Sequence, residues 1–442
     1  MRRAHLRVIF LLIFHGLSLF HPYGVDAQAY TRYLTGDSSD VVTAHQQGLV
    51  LAGGGADNDP AMKWMLQRAA GGDVLVLRAS GSNGYNNYFY SDLGIPVNSV
   101  ETIVFHNISA SYDPYVLRRI CEAEVVFIAG GDQYDYYTMW RNTPVEDTLR
   151  HALIQKRITL GGTSAGMMIL GEAYYAPSLQ GVESHQALSN PYHPHMQVLG
   201  LGDFVNHPWL PDVICDTHFD ERDRAGRLSV FMARMEKDWG INARGIACNE
   251  GTAVCVDSSG VARVFGSYPP APDYAYFLQS WCDVPQSLPE QCQPGQPLTW
   301  SHGAKALLVY KVVGKPNGSN SFDLTTWEQG TGGQWQWWYA DQGQLFKTQG
   351  AFQPCNLSVP PPEKSDGLKV SWLEDTFFMH VDTSIIEQGL FMNILSSDGQ
   401  LVFQTTLSQP GFMKFLPFAP GMYIVTLWTQ SGRVAQKKVV KP

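Results

Sequence analysis

The sequence predicts an α/β protein with a mostly parallel sheet flanked by helices, followed by a small all-β sandwich. Three observations carry this expectation. With 442 residues, of which 44% are hydrophobic, the chain can bury more than one core. Between about 45 and 315, β-rich apolar runs alternate with helix-compatible segments, the pattern of a parallel sheet covered by helices. From 367 onward only short β-rich runs remain, separated by turn residues.

The elements follow in chain order. Residues 1–27 have the pattern of a secretory signal: Arg2, Arg3 and Arg7 precede an apolar run from Val8 to Phe20, and Val25-Asp26-Ala27 places small residues where a peptidase would cut. The run is interrupted by His15 and falls short of the roughly 20 residues a spanning helix needs. A body at 45–315 follows. Its expected strands are Gly48 to Ala52, Asp73 to Ala79, Val100 to Phe105, Glu124 to Ala129 and Arg157 to Leu160. Residues 316–366 are expected to be a linker or extension of unknown role. Export would permit disulfides, and Cys282 with Cys292 brackets a Pro-containing loop as the most plausible local pair.

The sandwich at 367–442 is expected from the runs Leu368 to Trp372, Phe377 to Val381, Gly389 to Leu395, Leu401 to Thr406 and Gly421 to Thr429, with turns at Ser397-Asp398-Gly399 and Pro420-Gly421. Its last stretch, with Asp398-Gly399-Gln400-Leu401-Val402, Gly421-Met422-Tyr423-Ile424-Val425 and the tail Lys437-Lys438-Val439-Val440-Lys441, resembles the C-terminal sorting domain of type IX secretion cargo. That resemblance implies secretion machinery as a partner and a surface or secreted location. An accessory binding sandwich is the alternative.

Charge and motifs exclude several functions. The formal net charge of −9 gives no general attraction to nucleic acid, and nucleic acid is not an expected partner. No CxxC or HExxH spacing occurs, so metal chemistry has no motif support and no metal is expected.

In a parallel sheet, ligands gather at the carboxyl ends of the strands. Three Gly-rich turns fall there. Gly53-Gly54-Gly55 has neither the GxGxxG spacing nor a following Walker lysine, and reads as a tight turn. Gly130-Gly131-Asp132-Gln133 follows the fourth strand. Gly162-Thr163-Ser164-Ala165-Gly166 lies between β-rich Ile158-Thr159-Leu160 and helix-favouring Met167-Met168-Ile169-Leu170, the context of a nucleophile elbow. Ser164 would need a base to attack a carbonyl. His218, in Asp216-Thr217-His218-Phe219, occupies another strand end, ahead of a helix expected from Asp220. His185, His193, His195 and His207 lie in a Pro-containing stretch and read as loop-ordering residues. For the acid that orients the imidazole, Glu250 beside Gly251 is the choice, with Glu183 and Asp216 as competitors.

Gly130-Gly131-Asp132-Gln133, Gly162-Thr163-Ser164-Ala165-Gly166, Asp216-Thr217-His218-Phe219 and Arg222, Arg224 and Arg227, in that order over about 45–270, resemble the cyanophycinase family of serine peptidases, which also contains aspartyl dipeptidase. The resemblance implies a glutamine-amidotransferase-like sheet and no cofactor. It makes Ser164 the nucleophile, His218 the general base, Glu250 the acid, and the Gly131 and Ala165 amides the oxyanion hole. It assigns Asp132, Gln133, Asp216, Arg222, Arg224 and Arg227 to a pocket for the β-aspartyl-arginine unit of cyanophycin, or for another aspartyl peptide. A homodimer is compatible with it.

The ordinary role of the three arginines is a solvated helix face, since Asp220 with Arg224 and Asp223 with Arg227 stand at i,i+4. Arg222 has no such acid and is the best single ligand candidate. Two departures from the family stand out: Thr217 replaces the usual Gln before the histidine, and the stretch from Ser164 to His218 is longer than usual. A peptidase for other aspartyl peptides, an esterase and a surface binding protein without catalysis are the competing readings. The esterase fold would place its acid before the histidine, whereas Glu250 follows His218.

Overall fold

The computed structural model describes residues 28–354, apart from 284, together with strand segments between 368 and 441. The expected signal segment, 1–27, lies outside the described residues. Among the described residues, no helix is long and apolar enough to cross a membrane.

Two large sheets form the body. The first has ten strands, in the spatial order Tyr30–Gly36, Ser99–Phe105, Asp73–Arg78, Val125–Ile128, Thr159–Thr163, Gly48–Ala52, Ala253–Asp257, Val261–Phe265, Asn320–Asp323 and Gly330–Thr331. The five strands from Ser99–Phe105 to Gly48–Ala52 run parallel, and these are the five expected from the sequence. They are buried along nearly their whole length because helices cover the sheet, which explains their unbroken apolar sequences.

The second sheet has eight strands, in the order Gln344–Gln349, Gly333–Asp341, Leu307–Val313, Tyr274–Ser280, Arg244–Cys248, Val213–Asp216, Ala173–Tyr175 and Leu199–Leu201. Only its Arg244–Cys248, Val213–Asp216 and Ala173–Tyr175 strands are parallel to one another. The turn 249–252 carries the chain from Arg244–Cys248 into Ala253–Asp257, and so from one sheet to the other.

Three expectations are corrected here. The body is not confined to 45–315: Tyr30–Gly36 pairs antiparallel with Ser99–Phe105 along seven residues. The segment 316–366 is not a linker through its first half, because Asn320–Asp323 pairs with Val261–Phe265, and Gly333–Asp341 with Leu307–Val313. Its aromatic residues explain this, since Phe322, Trp327 and Trp338 are core residues that need burial. Finally, Cys292 is a free buried thiol whereas Cys282 is disulfide-bonded, so the two are not joined.

Beyond the body, backbone strands form a three-stranded antiparallel sheet (Leu368–Leu373, Thr376–Val381, Gly411–Phe415) and a four-stranded one (Leu401–Leu407, Leu390–Ser396, Gly421–Thr429, Gly432–Lys441). All five expected runs are strands. Gly411–Phe415 and the basic-apolar tail are two more. The turn Ser397-Asp398-Gly399 lies outside the described residues.

Candidate active site

The elbow is built by close approach. A Cβ on Gly166 would lie 2.1 Å from the Ile128 carbonyl oxygen, and one on Gly162 would lie 2.5 Å from the backbone of Gly166. The glycines therefore let the turn pack onto the neighbouring strand end. The unusual backbone falls on the serine itself, with φ 52° and ψ −118°, a conformation an ordinary side chain adopts only when its surroundings impose it. The helix that follows is a single turn, Ala165–Met168. Its first amide, on Ala165, has no preceding turn to supply an acceptor.

Ser164 Oγ stands 2.7 Å from His218 Nε2, and His218 Nδ1 stands 2.5 Å from Glu250 Oε1. With Nδ1–H donating to the carboxylate, Nε2 is left to accept the serine proton. Each of the three residues follows a strand: Thr159–Thr163 from the first sheet, Val213–Asp216 and Arg244–Cys248 from the second. The serine and histidine are thus brought together across two sheets.

The means of doing so was missed in the sequence. Ser164 N donates to the Ala52 carbonyl (3.0 Å), His218 N to that of Gly53 (2.8 Å), and Gly251 N to that of Gly54 (3.0 Å). Three consecutive carbonyls after one strand therefore hold the carriers of all three side chains. Gly54, at φ +94°, lies against the histidine: a Cβ there would be 2.5 Å from both Cε1 and Nε2 of His218. The available signal was the run Gly53-Gly54-Gly55 at a strand end, which the turn reading had already explained.

Burial pushes His218 below the ordinary imidazole value. Arg222 and Arg224 push the same way, while Glu250 opposes them through its hydrogen bond and charge. The ring is accordingly neutral, and able to accept a proton, at neutral pH. The acidic limb of kcat/KM is expected to titrate below the ordinary histidine range, with activity rising as pH rises through it and flat at neutrality. In Arg222→Ala that limb should move to higher pH, because a cation disfavouring imidazolium is gone. A pH–rate profile on an uncharged activated ester checks this, and an unmoved limb in the variant would refute it.

The arginines behave differently from one another. Arg227 Nε and Nη2 donate to the two oxygens of Asp216, at 2.8 and 2.6 Å, and both side chains are nearly or wholly buried. Asp216 Oδ1 also accepts from Thr217 N at 2.8 Å. Asp216 is therefore wholly buried and engaged with Arg227 and the Thr217 amide, which points to a structural task for it. Arg224 Nη1 donates to the Thr217 carbonyl (2.8 Å) and lies 3.3 Å from the Thr217 hydroxyl, with Asp216 beyond. Burial, against the pull of Asp216, brings Arg224 down to about 10.

The expected i,i+4 pairs do not form, since the helix begins at Ala225 and residues 219–223 are turns. Asp220 instead accepts from Asn249 Nδ2 (3.1 Å) and Tyr276 Oη (2.6 Å), tying the His218 segment to the Glu250 turn. Arg222 is exposed and enters no ion pair among the described residues. With Arg224 and Arg227 it lines a cavity of about 360 Å³, whose other wall is the segment 180–185.

Of the remaining candidates, Asp132 caps the helix Gln133–Trp140, its Oδ1 accepting from Tyr134 N at 2.9 Å, which is an ordinary structural task. Gln133 Nε2 lies 3.6 Å from Met168 Sδ, which Arg227 Nη2 approaches from 4.0 Å. Neither Asp132, Gln133 nor Asp216 lines the arginine cavity. Gly131, at φ +155° and exposed, follows the strand beside the elbow, and a Cβ on its neighbour Gly130 would lie 3.9 Å from Ser164 Oγ. Glu183, the competing acid, starts the helix Ser184–Ser189, its amide donating to Gln186 Oε1 (3.1 Å). His207 is buried and orders its loop, Nδ1 accepting from Trp209 N (3.1 Å). Among the described residues, no group of His, Cys, Asp or Glu is arranged to hold a metal ion.

A hydroxyl, an imidazole and a carboxylate in hydrogen-bonded series, at the carboxyl ends of parallel strands, define the class of serine hydrolases. Residues 80–264 match the model of peptidase family S51. The chain is 30% identical over 238 residues to a cyanophycinase of Synechococcus elongatus, covering 51% of this chain and 68% of that protein. The same figures hold for a cyanophycinase of Thermosynechococcus vestitus. The chain belongs to peptidase family S51 and is a serine-type peptidase. Among solved structures, a peptidase from an acI-B1 Actinobacterium is similar at 15% identity and a TM-score of 0.36, over 52% of this chain and 93% of that one.

Proposed function

We propose that this peptidase hydrolyses cyanophycin, a poly-aspartate whose side chains carry arginine in isopeptide linkage, and releases β-aspartyl-arginine dipeptides. The observation that carries the reading is the Ser164–His218–Glu250 series together with a cavity lined by three arginines, of which Arg222 is tied to the series by its amide donating to the His218 carbonyl (3.1 Å) and enters no ion pair among the described residues. Ser164 Oγ attacks the carbonyl carbon of an aspartyl backbone unit while its proton passes to His218 Nε2. Glu250 stabilises the imidazolium, and the amides of Ala165 and Gly131 receive the oxyanion. Collapse breaks the C–N bond as the imidazolium proton goes to the leaving amine. Water, deprotonated by the same ring, then releases the acyl group as a carboxylate. No step calls on a cofactor. Arg222 is the group suited to a substrate carboxylate, through a bidentate fork.

Thr217 supports a second reading. Its side chain is wholly buried and faces Arg224, so it offers a pocket ligand none of the amide donors of glutamine, and other aspartyl peptides become alternative substrates. Incubating the purified protein with cyanophycin and with a panel of α- and β-aspartyl dipeptides, and identifying products by mass, decides between the two. Release of β-aspartyl-arginine from the polymer is the expected result. An intact polymer alongside cleaved dipeptides would overturn it. The N-terminal signal pattern and the C-terminal strands support export, with the C-terminal region addressed to secretion machinery.

A further inference from the structure

The cavity lined by the arginines is formed by two unlike stretches of chain. One carries Arg222, Arg224, whose guanidinium is held by the Thr217 carbonyl, and Arg227, held by Asp216. The other is the segment 180–185, which belongs to the long stretch between Ser164 and His218.

This second wall is fixed. Val182 N donates to Tyr175 Oη (2.8 Å), Arg227 N donates to Ser184 Oγ (3.1 Å), and Ser184 Oγ donates in turn to the Asp223 carbonyl. Gly226 admits the segment closely, since a Cβ there would lie 2.8 Å from Ser184 Cβ. The backbone of Glu183 is thereby anchored on both sides. Glu183 lines the cavity, and its carboxylate, which accepts from the Gln186 amide in a capping box, stays 58% exposed with the still more exposed His185 ring 3.3 Å away.

Cations on one wall and a positioned carboxylate on the other suit a ligand with a carboxylate at one end and a cation at the other. An arginine joined through its α-amino group to an aspartyl side chain has both: a free α-carboxylate and a guanidinium. Resting on the substrate reading above, we propose that Glu183 determines specificity by receiving the substrate guanidinium while Arg222 receives the carboxylate. A carboxylate in this position performs a recognition that Thr217, buried against Arg224, cannot.

The test compares two synthetic oligo-aspartates whose side chains carry either arginine or citrulline, its uncharged near-isostere, using the full chain. Wild-type protein should prefer arginine. Glu183→Gln should lower the ratio of kcat/KM for arginine over citrulline by about tenfold, acting through KM with kcat unchanged, and Glu183→Asp should restore part of the ratio. Because the side chain is exposed and a glutamine oxygen can still accept from the Gln186 amide, the unfolding midpoint should not move. A wild-type ratio in Glu183→Gln, an equal loss on both substrates, or an effect found only in Asp223→Asn would overturn the assignment of Glu183 alone. Wild-type protein that cleaves neither oligomer would overturn the substrate reading together with it.

Discussion

Replacing Ser164 by alanine is expected to reduce kcat by roughly four to six orders of magnitude while leaving the fold and substrate affinity intact. The reasoning is local. Removing one oxygen takes away the atom that stands 2.7 Å from His218 Nε2, and the other hydroxyl at the elbow, on Thr163, is buried and bonded to Asp57. The backbone there is held by contacts the substitution does not touch: the Ser164 amide on the Ala52 carbonyl and the approach of Gly166 to Ile128. Alanine even relieves the site of a polar group, so the thermal midpoint should be unchanged or slightly higher. The check is single-turnover product release alongside equilibrium binding of the uncleaved polymer. A variant that turned over at the wild-type rate would remove Ser164 from the chemistry and return the protein to the class of binding proteins or of other nucleophiles.

Asp216→Ala should have the largest effect on stability, about 3–5 kcal/mol. The carboxylate is wholly buried and accepts both donors of the Arg227 fork, so its removal leaves a guanidinium inside the protein without a counter-charge. Arg224 and the Thr217 amide lose an acceptor in the same step. A substrate ligand would behave differently: its loss would raise KM and spare stability. Denaturant unfolding of the variant, read against KM for whatever folded protein remains, separates the two. A normal unfolding midpoint with an impaired KM would restore Asp216 to the pocket. The double replacement Asp216→Ala with Arg227→Met should recover much of the lost stability, because it removes the stranded charge as well as its partner.

These residues mark how far the sequence could be read. The five parallel strands were legible because each is buried on both faces, and an unbroken apolar run between helix-compatible segments has few other meanings. Ser164 was legible because the elbow depends on glycines at two fixed positions. The second sheet was not legible, because most of its strands are antiparallel and draw on distant segments. The strands between 320 and 349 carry Trp, Gln and Gly in a mixture that resembles extension more than core. The helix expected at Asp220 failed for a related reason: Asp220 is drawn to Asn249, in the turn after one strand, and to Tyr276, on another, and residues 219–223 form turns instead.

What the sequence by itself determined is the kind of chemistry available: which residue types stand at strand ends, in what order, and within which periodic pattern. Those are properties of spacing and side-chain identity, and they survive without coordinates. Only the tertiary structure decided which charges are spent. Three arginines and an aspartate that look equivalent along the chain divide into a buried pair, an arginine held by a carbonyl, and a guanidinium with no ion pair among the described residues. Burial and the partners that folding delivers settle that division, and both depend on residues far apart in sequence.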